Sequence, residues 1–224
     1  MILVVKLSGK VLEDEKNRLE ICQQLGELSR NGHKIAIIHG GGKQLTRFSQ
    51  RLGISTVQHQ GRRITDEKTL ELAVMVFSLI NRTLVATLLG LDIAALGISA
   101  FDGNLTRCRK RPPITLEPTA LADDQRQETV DFGLVGEIEQ IEPALLLKAW
   151  QNDLIPVISC LGADSNGQIL NINADTLAAE LAIALPATRL LSVSDVDGVY
   201  LEMDNPQTRI SELTSQQAKS YLQK

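Results

Sequence analysis

Aromatic residues are scarce in this chain. They make up 3% of its 224 residues, while hydrophobic residues make up 43%. A core built from this composition has to be aliphatic, of leucine, isoleucine, valine and alanine. Cysteine is also rare: Cys22, Cys108 and Cys160 are odd in number, far apart and outside any C-x-x-C spacing. With His33, His39 and His59 equally scattered, they argue against a zinc site and for free thiols in a reducing compartment, the cytoplasm. No protein metal ligand is assigned. No long run carries charge of one sign and the formal net charge is −4, which argues against a general grip on nucleic acid. Met1 leads straight into an apolar strand, and no segment reads as a signal peptide or a membrane span.

What is present is an alternation of strand-like and helix-like segments in a length suited to one large α/β domain or two small ones. Ile2–Leu7, Lys34–Ile38, Asp92–Ile98, Ile155–Cys160 and Arg189–Val193 read as strands. Helical spacing runs over 14–30, 43–52, from Thr65-Asp66 to Leu89, from Glu142-Pro143 to about Asn152, over 173–185, and from Thr214 to the end. Continuously apolar strands between helices predict a mainly parallel sheet covered on both faces. Residues 100–141 read as hairpins with a polar excursion.

The second strand runs into three glycines, His39-Gly40-Gly41-Gly42, and then a helix. Such a junction turns backbone N–H groups toward an anion. It is neither a P-loop nor a dinucleotide fingerprint, because Gln44 and Leu45 follow Lys43. Alone, it serves equally as a tight turn or a ligand loop. Lys6 closes the first apolar strand just before Ser8-Gly9, where it either snorkels to the surface or meets an anion. Arg62-Arg63 suits a hairpin surface or a carboxylate clamp. In Asn171-Ile172-Asn173-Ala174-Asp175, helix capping accounts for Asn173 and Asp175 but not for Asn171. Asp195 and Asp197 flank a turn with Gly198 that also suits a nucleotide or magnesium contact.

Taken in order, Lys6-Leu7-Ser8-Gly9, His39-Gly40-Gly41-Gly42, Gly61-Arg62-Arg63-Ile64-Thr65, Gly133-Leu134-Val135-Gly136-Glu137, Asn171 to Asp175 and Ser194 to Gly198 resemble the amino-acid kinase family over essentially the whole chain. The resemblance is strongest to its members that phosphorylate N-acetyl-L-glutamate. It implies a three-layer αβα sandwich and transfer of the γ-phosphoryl of ATP, supplied with Mg2+, to a carboxylate. By resemblance Lys6 stabilises the transition state and Asp175 orients it. Gly41, Gly42, Arg63 and Asn171 bind the acceptor. Gly9 and the loop Asp195, Val196, Asp197, Gly198, Val199 and Tyr200 lie on the nucleotide side.

The family pattern carries a second catalytic lysine beyond the helix with which this chain stops, so the resemblance implies either a C-terminally truncated form of a longer enzyme, the favoured reading, or a naturally short and impaired protein. The domain is expected over 1–224, with an acceptor lobe to about 170 and the start of a nucleotide lobe over 171–224. The start at the first strand implies a homodimer insensitive to arginine. Other carboxylate kinases of the family, acting on aspartate, glutamate or carrier-linked aminoadipate, are the competing activities. A catalytically impaired amino-acid-binding subunit is the competing non-catalytic role.

Overall fold

The fold is known from a computed structural model that describes residues 1–59, 62–116, 128–202 and 205–222. Gly61 and most of the polar excursion, 117–127, therefore lie outside the described residues. In chain order the elements are β1 (Ile2–Leu7), α1 (Gly9–Glu13), α2 (Glu15–Arg30), β2 (Lys34–His39), α3 (Gly42–Arg51), β3 (Gln58–His59), β4 (Arg62–Arg63) and α4 (Glu67–Leu89). Next come β5 (Ala95–Ser99), β6 (Thr106–Lys110), β7 (Ile114–Leu116), β8 (Glu128–Val130), β9 (Gly136–Ile141), α5 (Ala144–Gln151) and β10 (Ile155–Ser159). The remainder are β11 (Leu161–Ala163), β12 (Ile169–Asn171), α6 (Ala174–Ala184), β13 (Arg189–Val193), β14 (Val199–Tyr200), β15 (Arg209–Ile210) and α7 (Ser215–Leu222).

Five strands form a parallel sheet in the order β13-β1-β2-β10-β5. Alternation of side chains sorts the strands onto two faces. Leu3, Val5, Leu7, Ile35, Ile37, Ile155 and Val157 pack with Cys22 and Leu25 of α2 and Leu84 and Leu88 of α4. Val4, Ala36, Ile38 and Ile158 pack with Leu146 and Trp150 of α5 and Leu177 and Leu181 of α6. The result is the expected α/β three-layer sandwich with an almost wholly aliphatic interior. Phe77, Phe132 and Trp150 are the buried aromatics among the described residues, and the Trp150 indole N–H donates to the Ile35 carbonyl at 2.8 Å.

The helices start where the sequence supplies caps. Asp14, Asp66 and Asn173 accept from the backbone N–H of Asn17, Thr69 and Thr176 at 2.8–2.9 Å, each worth about 1 kcal/mol. The strand expected from Asp92 begins only at Ala95. Asp92 instead takes the left-handed conformation that ends α4, with φ 58°, and the Ile93 N–H closes back on the Leu88 carbonyl. Helix α4 is long and apolar enough to cross a bilayer, with a mean hydropathy of 1.9. Its buried apolar side chains from Leu72 to Leu88 pack instead in the two clusters that flank the sheet. The hairpin β11–β12 adds an antiparallel pair that joins β10 to the start of α6.

The chain divides into two compact units, Met1–Val193 and Ser194–Lys224. The second carries the hairpin β14–β15, with Val199 opposite Ile210, and α7. In it the Ser194 hydroxyl accepts from the Val196 N–H at 3.2 Å, and Gly198 has φ 155°, a region that disfavours side chains.

Candidate active site

Strands β1 and β2 are neighbours, so the two glycine turns at their carboxyl ends lie side by side, where ligands of open α/β sheets bind. The turns are tied together by Gln44 in the first turn of α3. Its amide donates to the Gly9 carbonyl at 2.6 Å, and a Cβ on Gly9 would collide with its side-chain oxygen. The close approach at Gly9 is thus to Gln44. Gly41 and Gly42 differ from one another. A Cβ on Gly41 would sit 2.7 Å from Phe77 and Ile80, whereas a Cβ on Gly42 would meet nothing within 4 Å. Gly41 is therefore packed against α4, and Gly42 faces open space at the N-terminus of α3. That N-terminus has no side-chain cap.

Lys6 and Asp175 meet at this edge. The Lys6 Nζ lies 2.9 Å from the Asp175 carboxylate, with the lysine side chain 14% exposed and the aspartate 68%. Asn173 starts α6 and so sets Asp175 in its first turn. The same helix start touches the glycine run, because a Cβ on Gly40 would lie 3.4 Å from that of Ala174. With the carboxylate so exposed, the pair contributes about 1 kcal/mol at most to stability. Its consequence is positional: an ammonium is held at the mouth of the turns.

Arg63 reaches the start of α3 from β4. Its Nη2 donates to the Thr46 hydroxyl at 2.6 Å and to the Gly42 carbonyl at 3.2 Å. Its Nη1 is buried without a partner among the described residues, and burial pulls the guanidinium below its usual pKa. A cation in that state is stabilised by an anion brought to its free edge. Asn171 stands next in the series, its amide donating to Thr65 Oγ1 at 3.2 Å. Thr65 is wholly buried, and its hydroxyl in turn donates to the Arg63 carbonyl at 3.3 Å. Ser8 Oγ and Gln44 Oε1 are also buried and unpartnered among the described residues.

Of the residues singled out from the sequence, Lys6, Gly9, Gly41, Gly42, Arg63, Asn171 and Asp175 thus fall on one chain of contacts. Asp195, Val196, Asp197, Gly198, Val199 and Tyr200 belong to the second unit, where they lead into and form β14. Sequence reasoning missed Gln44, Thr65 and Asn81. Only Asn81 left a signal, as a polar residue inside the apolar run of α4. It is buried and lies against His39 at 3.2 Å.

The sequence signature of the amino acid kinase family matches residues 1–224. The chain belongs to the amino acid kinase family. An acetylglutamate kinase of Methanospirillum hungatei JF-1 is 40% identical over 98% of this chain and 73% of its own length. One of Sorangium cellulosum So ce56 is 37% identical over 98% and 75%. One of Prochlorococcus marinus MED4 is 35% identical over 99% and 73%. The chain therefore spans about three quarters of the length of these relatives. Among solved structures, a Streptococcus mutans UA159 protein superposes with TM-score 0.80 at 22% identity, covering 99% of this chain and 82% of its own. The N-acetylglutamate synthase of Neisseria gonorrhoeae, complexed with coenzyme A and N-acetylglutamate, gives 0.77 at 24% identity, covering 99% of this chain and 47% of its own. At these identities both likenesses speak for the fold alone.

Proposed function

We propose that the chain transfers the γ-phosphoryl group of ATP to the side-chain carboxylate of N-acetyl-L-glutamate, a step of arginine biosynthesis. The observation that carries this reading is the Lys6–Asp175 pair, which holds an ammonium beside the uncapped start of α3. The identity to relatives named acetylglutamate kinase supports the choice of acceptor.

In the reaction an acceptor carboxylate oxygen supplies the electron pair for a new O–P bond. The bond from the γ-phosphorus to the β,γ-bridging oxygen breaks, and its electrons leave on ADP. The acceptor is already ionised, so no general base is needed, and the protein's task is positioning and charge neutralisation. Arg63 and Asn171 hold the acceptor, with the Arg63 guanidinium paired to its α-carboxylate. The Gly41 and Gly42 N–H groups and the Lys6 ammonium meet the acceptor carboxylate and the moving phosphoryl. Asp175 keeps Lys6 aimed. Gly9 and the loop from Asp195 to Tyr200 serve the nucleotide, and Mg2+ enters as the counter-ion of ATP. Residues to about 170 form the acceptor lobe, and those from 171 begin the nucleotide lobe.

Hydroxylamine trapping of the acyl phosphate, together with coupled detection of ADP, tests this assignment. Hydroxamate formation that depends on N-acetylglutamate is expected. Turnover with aspartate, glutamate or a carrier-linked acceptor but not with N-acetylglutamate would overturn it. Tight binding of N-acetylglutamate without any turnover would favour a binding subunit instead. We further propose a cytoplasmic homodimer. Three buried free thiols support the compartment, and exposed Met75, Leu79 and Leu89 on α4 support self-association. Sedimentation as a monomer would refute the dimer.

A further inference from the structure

His39 closes β2 immediately before the three glycines and is fully buried. It shares a sheet face with Leu7, its partner in register, while Lys6 projects to the opposite face beside Ile38. Its imidazole lies between two partners. Nδ1 is 3.0 Å from the Gly40 carbonyl, and Nε2 is 3.2 Å from the Asn81 side-chain nitrogen. That nitrogen also lies 2.9 Å from the Val157 carbonyl and 3.3 Å from the Ile98 carbonyl. Two carbonyl oxygens fix the Asn81 amide with its NH2 toward them, since an oxygen there would face like charge. A Cβ on Gly97 would collide with Asn81 Oδ1, so the glycine in β5 gives that oxygen its room.

The tautomer follows. Nε2 faces a donor and must accept, so the proton sits on Nδ1 and is given to the Gly40 carbonyl. The Gly40–Gly41 peptide is trans, as no cis bond occurs among the described residues. In a trans peptide the N–H points opposite to the carbonyl. With the Gly40 carbonyl drawn to the imidazole, the Gly41 N–H is turned away from it. That N–H has no backbone acceptor among the described residues.

We propose that His39, held in its Nδ1–H form by Asn81, is a positioning residue that aims the Gly41 N–H at the reacting carboxylate and phosphoryl groups. The assignment rests on the carboxylate-kinase reading above. The imidazole touches no substrate and transfers no proton. It selects one of two orientations of a glycine peptide that has no side chain of its own to decide the matter. A misaimed peptide presents its carbonyl oxygen where a donor is needed and repels the oxyanion.

Two measurements test this. The 15N spectrum of the native chain should give a protonated Nδ1 and an unprotonated Nε2 for His39 at neutral pH. The opposite tautomer would overturn the proposal without reference to any assay. In kinetics, His39→Leu should lower kcat by about tenfold to a hundredfold, with KM for N-acetylglutamate moved less than about threefold. His39→Asn, whose amide can reproduce the Nδ1 donor, should recover most of the loss. Equal impairment of the Leu and Asn variants, or full activity of the Leu variant, would overturn the role. Absence of turnover by the wild type with N-acetylglutamate would instead strike the acceptor assignment, leaving the tautomer as the test. If the Leu variant fails to fold, the Asn variant and the native spectrum still decide.

Discussion

Acid should destabilise this protein through His39 before its carboxylates take part. Burial holds the imidazole neutral and pulls its pKa from 6.5 to about 4, partly offset by the hydrogen bond to the Gly40 carbonyl. In the unfolded chain the same ring takes up a proton near pH 6.5. Between these values the unfolded state binds more protons, so stability falls as pH falls. The loss begins near pH 6.5 and is complete below about pH 4. A separation of about 2.5 units corresponds to about 3 kcal/mol when complete and about 2 kcal/mol at pH 5. Asp66 and Asp131 also have lowered pKa values, Asp66 first through its bonds to Thr69 and Asp131 through the Gly133 N–H. Their contributions are present above the unfolded value of 3.8 and are lost only below it, so they leave the window from pH 7 to 5 to the imidazole. Urea unfolding at a series of pH values, for the wild type and for His39→Asn, isolates the effect. The wild type should lose about 2 kcal/mol between pH 7 and 5, and the variant should be flat relative to it. Parallel curves for the two proteins would refute a buried neutral His39.

Three further outcomes follow from the site. Lys6→Ala should fold normally and lower kcat by about a hundredfold or more, and steady-state kinetics with kcat unchanged would remove Lys6 from the transition state. Arg63→Lys keeps the charge but loses the planar fork that bonds Thr46 and the Gly42 carbonyl. KM for N-acetylglutamate should rise by about tenfold or more with a smaller change in kcat, and an unchanged KM would show that the acceptor carboxylate binds elsewhere. Gly133→Ala introduces a side chain at φ 69°, directly against the Thr65 carbonyl. It should cost about 2–4 kcal/mol in thermal or urea unfolding and weaken N-acetylglutamate binding through Thr65, whereas a neutral substitution would mean that this turn is not constrained.

The sheet was legible because parallel strands buried on both faces are continuous apolar runs, and those runs are bounded here by glycine and by capping residues. Ile2–Leu7 matches its expected bounds to the residue for that reason, whereas Arg189–Val193, which also matches, is a largely exposed edge strand set by its position between the end of α6 and Ser194. The strand expected from Asp92 starts three residues late because its β-like sequence neighbours say nothing of the preceding helix, whose last carbonyls require a left-handed residue there. The hairpin β11–β12 was missed for a related reason: three-residue strands carry too little periodicity to register.

The site divides along a different line. Glycine turns, the strand-end lysine and the Asn173 cap are local patterns, and each suggested chemistry or geometry by itself. The contacts that turn them into a site join residues far apart in the chain: Lys6 with Asp175, Asn171 with Thr65, Gln44 with Gly9 and Asn81 with His39. No periodicity encodes such pairs. What the sequence does carry is a conflict: an asparagine in the apolar stretch of α4 and a histidine closing a buried strand each carry a cost unless satisfied. Two such conflicts that resolve each other, directly beneath a run of glycines, are the physical trace of a peptide group whose direction matters to the reaction above it.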